Sequence, residues 1–390
     1  MPVSTVLTQT LGLQHPIVQA PMAGGGDTPA LVAAVCEAGA LGSVGVTYLT
    51  PRQIAETCAA VRSNTTRPFG INLFVPDAPL PDGIELGAAV GRVAPFFEEL
   101  GLARPEPPTP AARDFNAQLD AALAGGASVF TFTFGMLPPA ARDKVKARGL
   151  MIGGTATTVD EAVALERAGM DFVVAQGSEA GGHRGTFAGP VEQAAFEAGM
   201  VGTLALVPQI VDAVRVPVVA SGGIMDGRGI AAVLALGAAA AQLGTAFLTC
   251  EEAGVPDVYK QAILDAHEDQ TRITRAFSGR PARGIVNRFM REVEAPWPAP
   301  SEVEGPASPK LASDSIKSEG GWPQFSILPF PLQNALTRPL RTAAARQGRA
   351  EFLSLWAGQG VRMARRMKAA DLVAALADET DAAIARLSCT

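Results

Sequence analysis

The chain is poor in metal ligands and in reactive sulfur. Its three histidines, His15, His183 and His267, are scattered, with no H-x-x-x-H pair and no acidic cluster beside them, so no metal site is expected. Its four cysteines, Cys36, Cys58, Cys250 and Cys389, lie far apart with no C-x-x-C pair. They read as reduced thiols, and with no basic segment at Met1-Pro2-Val3-Ser4 the expected compartment is the cytoplasm. Charged residues are only 18 % of the chain and the net charge is −6, with no basic stripe. That argues against a nucleic-acid partner. The longest apolar run, from Ile230 to Leu243, is alanine-rich and broken by Gly237, too short and too weakly hydrophobic to span a bilayer. No G-x-G-x-x-G follows a strand and no G-x-S-x-G elbow is present. A Rossmann nicotinamide site and a serine-hydrolase elbow are therefore not expected.

What is present is a repeated grammar. At 390 residues and 48 % hydrophobic content, one core of about 250 residues plus a smaller unit is affordable. Three segments, Ala34 to Gly45, Ala164 to Gly177 and Val233 to Gly244, each end a helix in Ala-Gly or Leu-Gly and start a short apolar strand two or three residues later. Strand, helix, strand at that spacing means parallel strands with helical crossovers. Runs near residues 17–20, 40–44, 69–74, 128–132, 150–152, 172–175, 217–220 and 239–243 count as eight strands in about 230 residues, which fits a TIM (β/α)8 barrel better than an open doubly wound sheet. Helix starts are marked by Thr28-Pro29, Thr50-Pro51 and the capping box Thr158-Val159-Asp160-Glu161. Residues 1–250 are thus read as the barrel, with a proline-rich insertion at about 76–126. Residues 251–390 are read as a mainly helical extension, with helices over 256–267, 332–340, 351–367 and 369–387. Within it, 295–323, rich in Pro, Ser, Gly and Glu, is read as a mobile loop.

If this is a barrel, chemistry gathers at the strands' C-terminal ends. The stretch of most interest is Ser178-Glu179-Ala180-Gly181-Gly182-His183-Arg184-Gly185-Thr186, after the strand Phe172 to Ala175. Its glycines remove bulk around an imidazole, so a flat ligand could lie on the backbone beneath a proton acceptor. The other strand ends supply Ala20 with Met22, Ala23 and Gly24, then Asn72, Gln176, Ser221-Gly222-Gly223, and Gln242-Leu243-Gly244-Thr245. Neighbouring glycine-rich ends after the last two strands suit a phosphate held by backbone N–H groups. Asn72 and Gln176 are amides that could pair with the polar edge of a flavin ring, or could simply cap loops.

These stretches together resemble the flavin-dependent nitronate monooxygenase family. The resemblance is carried by Gln19-Ala20-Pro21-Met22-Ala23-Gly24-Gly25, Gly70-Ile71-Asn72-Leu73-Phe74, Gln176 through Gly185, Ala220-Ser221-Gly222-Gly223-Ile224 and Gln242-Leu243-Gly244-Thr245. Downstream, Phe277-Ser278-Gly279-Arg280-Pro281-Ala282-Arg283-Gly284 and Trp356-Ala357-Gly358-Gln359-Gly360 match as well. The resemblance implies FMN across the barrel mouth. Asn72, Gln176 and Gly181, with Gly182 beside them, would lie at the ring or its tail, and Gly223, Gln242, Gly244 and Thr245 at the phosphate. His183 would face the substrate. It implies oxidation of an alkyl nitronate, or of a nitroalkane such as 3-nitropropionate, by O2 to a carbonyl compound and nitrite, in a monomer or homodimer. There His183 would take the α-proton of a neutral nitroalkane or, as imidazolium, orient the nitronate. An FMN-dependent NAD(P)H enoyl-acyl-carrier-protein or quinone reductase shares the barrel and the histidine string. A flavin-free sugar-phosphate isomerase or lyase and a catalytically idle FMN-binding barrel are further alternatives.

Overall fold

A computed structural model describes residues 3–76, 80, 83–109, 113–187, 199–295 and 327–388. Its eleven strands, in chain order, are β1 (Ile17–Gln19), β2 (Gly42–Gly45), β3 (Phe69–Phe74), β4 (Val129–Thr133), β5 (Met151–Ala156), β6 (Phe172–Gln176), β7 (Gly182–His183), β8 (Val218–Ser221), β9 (Ala240–Leu243), β10 (Thr271–Thr274) and β11 (Ala282–Ile285). Eight of them form one parallel sheet in the order β1-β9-β8-β6-β5-β4-β3-β2. A parallel bridge between Val18 and Leu41 joins its two edges, so the sheet closes as a barrel. Strands buried on both faces carry apolar runs rather than alternation, as in Phe172-Val173-Val174-Ala175.

The crossover helices follow the sequence signals closely. Thr28 accepts from the Leu31 amide, with Pro29 at the first helical position. Thr50 and Gln53 form a reciprocal capping box. Thr158 accepts from the Glu161 amide, but the expected box there is only half made, because the Glu161 carboxylate accepts from Thr157 and Phe187 instead. Each such cap is worth about 1 kcal/mol and fixes where its helix leaves the sheet. The apolar stripes of these helices, such as Leu31, Val32 and Val35, pack on the strands in one continuous core. A short helix, Val6–Leu11, closes the N-terminal end of the barrel by burying Leu7 and Leu11 against Val18, Leu41 and Phe172.

The 76–126 segment divides in two. Helix Phe115–Ala124 is the crossover between β3 and β4, and Leu119 and Ala122 join the barrel core. Helix Leu86–Glu99 instead joins a second apolar cluster with helices Asp257–Leu264, Arg288–Glu294 and Leu332–Gln347. Phe277 stacks on Phe289 at 4.8 Å there, and Phe96 meets Phe289 edge-on at 5.0 Å.

Two expectations for the extension need correcting. It contains a small antiparallel sheet, β10-β11-β7, which reaches back to the barrel's own histidine loop. And 351–367 is not a helix: it holds only the 3-10 turns Ala350–Phe352 and Val361–Met363. Gly358 and Gly360 weaken helix there, and the backbone between the turns is used in contacts with β11 and the histidine loop. Helix Ala369–Ser388 returns to the barrel, placing Leu372, Val373 and Leu376 in its core. The expected loop over 295–323 lies, but for Ala295, outside the described residues.

Candidate active site

The histidine loop is pinned from both sides. Gly182 and His183 pair antiparallel with Arg283 and Ala282 of β11, and the Arg184 amide donates to the Pro281 carbonyl at 2.9 Å. Gln176, at the end of β6, donates from Nε2 to the His183 carbonyl at 3.0 Å and accepts the Gly185 amide on Oε1 at 2.8 Å. Arg184 is buried and donates to the carbonyls of Gln176 and Gly199 at 2.6 and 2.9 Å. A run of glycines that alone would cost backbone entropy is thus held in one conformation.

The imidazole sits in a cage of rings. Phe134 and Trp356 lie 5.7 and 5.6 Å from it, and Phe330 and Phe74 at 6.3 and 6.4 Å. Its Nε2 is 2.9 Å from the Ser278 hydroxyl, which itself meets the Arg280 carbonyl at 3.2 Å. Ser278 therefore sets which ring nitrogen carries the proton. Arg280 lies over the Phe134 ring at 3.9 Å. Burial first, then the positive charges of Arg280 and Arg341, hold the His183 pKa down at about 3. These surroundings favour the neutral ring over the imidazolium.

The cage opens into a cavity of about 600 Å³, within the roughly 300–1,000 Å³ common for cofactor-sized ligands. The barrel's C-terminal ends line it. The first loop contributes Ala20, Met22, Ala23 and Gly24, β3 contributes Asn72, and the histidine loop contributes Gln176, Gly181, Gly182 and His183. The last two strands add Ser221, Gly222 and Gly223, then Gln242, Gly244 and Thr245. Leu243 is the correction: alternation along β9 turns its side chain into the barrel core, where it is 1 % exposed.

Two close approaches explain the glycines. A Cβ on Gly222, at φ +125°, would stand 2.7 Å from the Thr203 hydroxyl. A Cβ on Gly181 would stand 2.6 Å from the backbone of Ala357 and Gly358, where the C-terminal segment crosses the cavity. The Gly358 amide donates to Thr245 Oγ1 at 3.0 Å and the Gln359 amide to the Glu179 carbonyl at 2.9 Å.

This lining fits a flavin nucleotide. Backbone-rich ends of neighbouring strands suit a phosphate, apolar walls suit a flat ring, and among the described residues no acidic one lines the cavity to repel an anion. Asp27 stands behind the first loop, accepting the Met22 and Gly45 amides at 2.7 Å each. Burial pushes its pKa up to about 7 against those hydrogen bonds.

Several side chains around the cavity and its histidine carry no distinct signal in the sequence. Phe74, Ser278, Arg280 and Trp356 lie inside the motif stretches, but only the fold shows them converging on His183. Asn334, Arg338 and Arg341, on helix Leu332–Gln347, also line the cavity. Their i, i+4, i+7 spacing is legible, but nothing in it says which face is turned to the mouth. Of the two readings open for Gln176 and Asn72, ring pairing or loop capping, their hydrogen bonds display the second. Both ends of the Gln176 amide hold the loop, and Asn72 Nδ2 donates to Thr131 at 2.9 Å.

Comparison with known proteins follows the same lines. The family model described as nitronate monooxygenase matches residues 4–379. A probable nitronate monooxygenase of Staphylococcus aureus (strain Newman) is 41 % identical over 358 residues, 92 % of each chain. The solved structure of a nitroalkane oxidase from Streptomyces ansochromogenes superposes with a TM-score of 0.83 at 41 % identity, over 98 % of this chain and 99 % of that one. FabK from Thermotoga maritima is more distant, with a TM-score of 0.71 at 27 % identity over 99 % of both chains.

Proposed function

The chain belongs to the nitronate monooxygenase family and is a flavin-dependent oxidoreductase, and from that premise we propose that it oxidises alkyl nitronates, and nitroalkanes such as 3-nitropropionate, with O2 to a carbonyl compound and nitrite. The cofactor is FMN. The flavin, when bound, supplies electron acceptance from the substrate and the reaction with O2. Ser221, Gly222, Gly223, Gly244 and Thr245 hold its phosphate, with Gln242 beside them. Ala20 to Gly24, Asn72, Gly181 and Gly182 border the ring, while Gln176 acts through the loop it pins.

The observation that carries this reading is the neutral, ring-caged His183 beside a glycine-built cavity. A neutral imidazole accepts the α-proton of a nitroalkane, and Ser278 fixes the nitrogen that does so. With a pKa near 3 it is a weak base. The site is therefore better matched to a substrate that arrives as the nitronate, with the proton already gone. The aromatic cage excludes water around that anion, and the arginine charges near His183 favour it.

The test is oxygen uptake by the purified protein with propyl nitronate, 1-nitropropane and 3-nitropropionate, with an NADH control. Nitrite released with the nitronates, faster than with the neutral nitroalkane, is the expected result. Flavin bleached anaerobically by NAD(P)H but not by nitronate would replace this reading with a reductase. Chromatography of the released cofactor separates FMN from FAD.

A further inference from the structure

We propose that Thr203 and Glu179 are a positioning pair: through them the flavin's phosphate, bound at the Gly222–Gly223 turn, sets the place of the histidine loop and so of His183. This rests on the cofactor placement proposed above and adds what the phosphate does beyond anchoring.

Helix Thr203–Ala213 begins at Gly202, which has no side chain to cap it. Glu179, on the histidine loop, caps it from outside. Its two carboxylate oxygens accept the Thr203 amide, at 2.9 and 2.8 Å. The Thr203 hydroxyl is buried and has one proton to give, yet it stands 2.9 Å from two acceptors, Glu179 Oε2 and the Gly222 carbonyl. One acceptor belongs to the histidine loop and the other to the turn assigned to the phosphate. Neither loop has slack here. A Cβ on Gly222 would stand 3.2 Å from the Ala180 amide and the Gly177 carbonyl, and a Cβ on Gly223 would stand 3.0 Å from Glu179 Cβ. On its other side the histidine loop is held at the Ser178 carbonyl, which accepts from Arg283 Nε at 3.0 Å.

A hydroxyl with one proton serves two acceptors only by sharing it, so this pose is kept only while both loops stay close. Glycine gives the Gly222–Gly223 turn several backbone states, and a phosphate on its N–H groups selects one. Selecting it fixes the Gly222 carbonyl. The carbonyl fixes the Thr203 hydroxyl, and Thr203 holds Glu179 on the loop that carries His183. A ligand biases such an element only by binding one of its states better, and the state favoured here is the one that presents the imidazole. The flavin ring alone, resting on the cavity walls, has no grip on this chain of bonds.

The experiment strips the flavin and reloads the full chain, to saturation, with FMN or with riboflavin, which has the same ring and no phosphate. Affinity is read by flavin fluorescence and loop order by amide exchange in 178–185. Proton abstraction is read as the ratio of turnover with 1-nitropropane to turnover with propyl nitronate. The wild type is expected to bind FMN at least about tenfold more tightly than riboflavin, and to exchange at least about tenfold more slowly in 178–185 with FMN. Thr203→Val keeps the shape and removes the hydroxyl. It is expected to bring the FMN advantage in exchange below about threefold, and to lower the nitroalkane-to-nitronate ratio of the FMN-loaded protein about tenfold. Thr203→Ser should restore both. Glu179→Gln, which keeps an acceptor and loses the charge, should give a partial effect. Melting temperature reports whether each variant is folded. If Thr203→Val cannot be isolated folded, the Glu179→Gln and wild-type results decide.

Equal exchange with the two flavins in the wild type, although FMN binds more tightly, overturns the proposal and leaves the phosphate as an anchor only. So does a Thr203→Val variant that keeps the FMN advantage. A variant that quickens exchange equally with both flavins also overturns it, by making Thr203 a helix start and nothing more. Equal affinity for FMN and riboflavin removes the phosphate from this turn and the coupling with it. An absence of oxygen uptake with propyl nitronate, with the FMN-specific slowing intact, would instead sink the function reading and uphold the coupling.

Discussion

His183 takes its properties from neighbours rather than from its own ring. The Ser278 hydroxyl at 2.9 Å orders its tautomer, and burial with two nearby arginine charges keeps it neutral. Replacing it with asparagine keeps a polar group of similar reach and removes the base. His183→Asn is expected to lose about 10²- to 10⁴-fold in kcat/KM with 1-nitropropane and less than about tenfold with propyl nitronate. Equal losses on both substrates would remove the base role. Because the ring titrates at about 3, it is deprotonated throughout the working range. A pH profile with neutral nitroalkane should therefore carry no acid limb from His183 between about pH 5 and 8. A limb near 6.5 that disappears in His183→Asn would show that bound flavin restores an ordinary histidine. Ser278→Ala frees the tautomer without touching the ring. It should lower nitroalkane turnover by about tenfold, leave flavin content unchanged, and be partly rescued by Ser278→Thr.

At the scale of elements, the site depends on a turn and a crossing that are each fastened from behind. The turn after β1 is tied to β2 through Asp27, which accepts the Met22 and Gly45 amides. Its folded pKa of about 7 stands above the ordinary 3.8. Its stabilising contribution is therefore full below about pH 4 and is lost as the pH rises to about 7. Measured against Asp27→Asn, the wild type is expected to lose at most about 4 kcal/mol across that window and nothing more above it. A difference that grows with pH would contradict the burial that raises this carboxyl. The crossing is Gly358 under the histidine loop, where a Cβ would stand 2.6 Å from the Glu179 carbonyl. Gly358→Ala is expected to push the two segments apart, cutting flavin occupancy while most of the melting temperature is kept, read by absorbance near 450 nm. Such elements also mark where the sequence was legible. The eight strands were readable because strands buried on both faces are short apolar runs and their helices carry explicit caps, as at Thr28, Thr50 and Thr158. The glycine-rich strand ends were readable because few other folds need glycine there. β7 was not, since two residues in a glycine loop have no period, and its pairing with β11 is set by Arg283 and Ala282 about a hundred residues on. The irregular 351–367 segment misled for a related reason. Its composition suits a helix, whereas the tertiary hydrogen bonds that keep it open leave no local pattern.

The whole molecule places its cofactor cavity on the seam between two apolar clusters. The barrel ends supply one wall, and helix Leu332–Gln347 with the 353–360 segment supplies the other. The strap that follows crosses the mouth and is fastened along its length. The Tyr259 hydroxyl donates to the Trp356 carbonyl at 2.8 Å, the Gly358 amide to Thr245, and the Thr249 hydroxyl to the Arg365 carbonyl at 2.8 Å. Helix Ala369–Ser388 then docks beside Gly227–Ala235, where Glu379 accepts the Gly227 amide at 3.0 Å. A ligand on that seam touches the native arrangement of both clusters and finds no equivalent in the unfolded chain. It therefore stabilises the fold by mass action, by about 2.7 kcal/mol at a hundredfold excess over Kd. Stripping the flavin is expected to lower the melting temperature by a few degrees, reversed by adding FMN. The loss should be local as well as global. Amide exchange should quicken in 178–185 and 353–364, which face the cavity, and stay unchanged in Val6–Leu11 at the opposite end of the barrel. Equal quickening at both ends would mean that the flavin supports the barrel as a whole, and that the strap is not the part it holds shut.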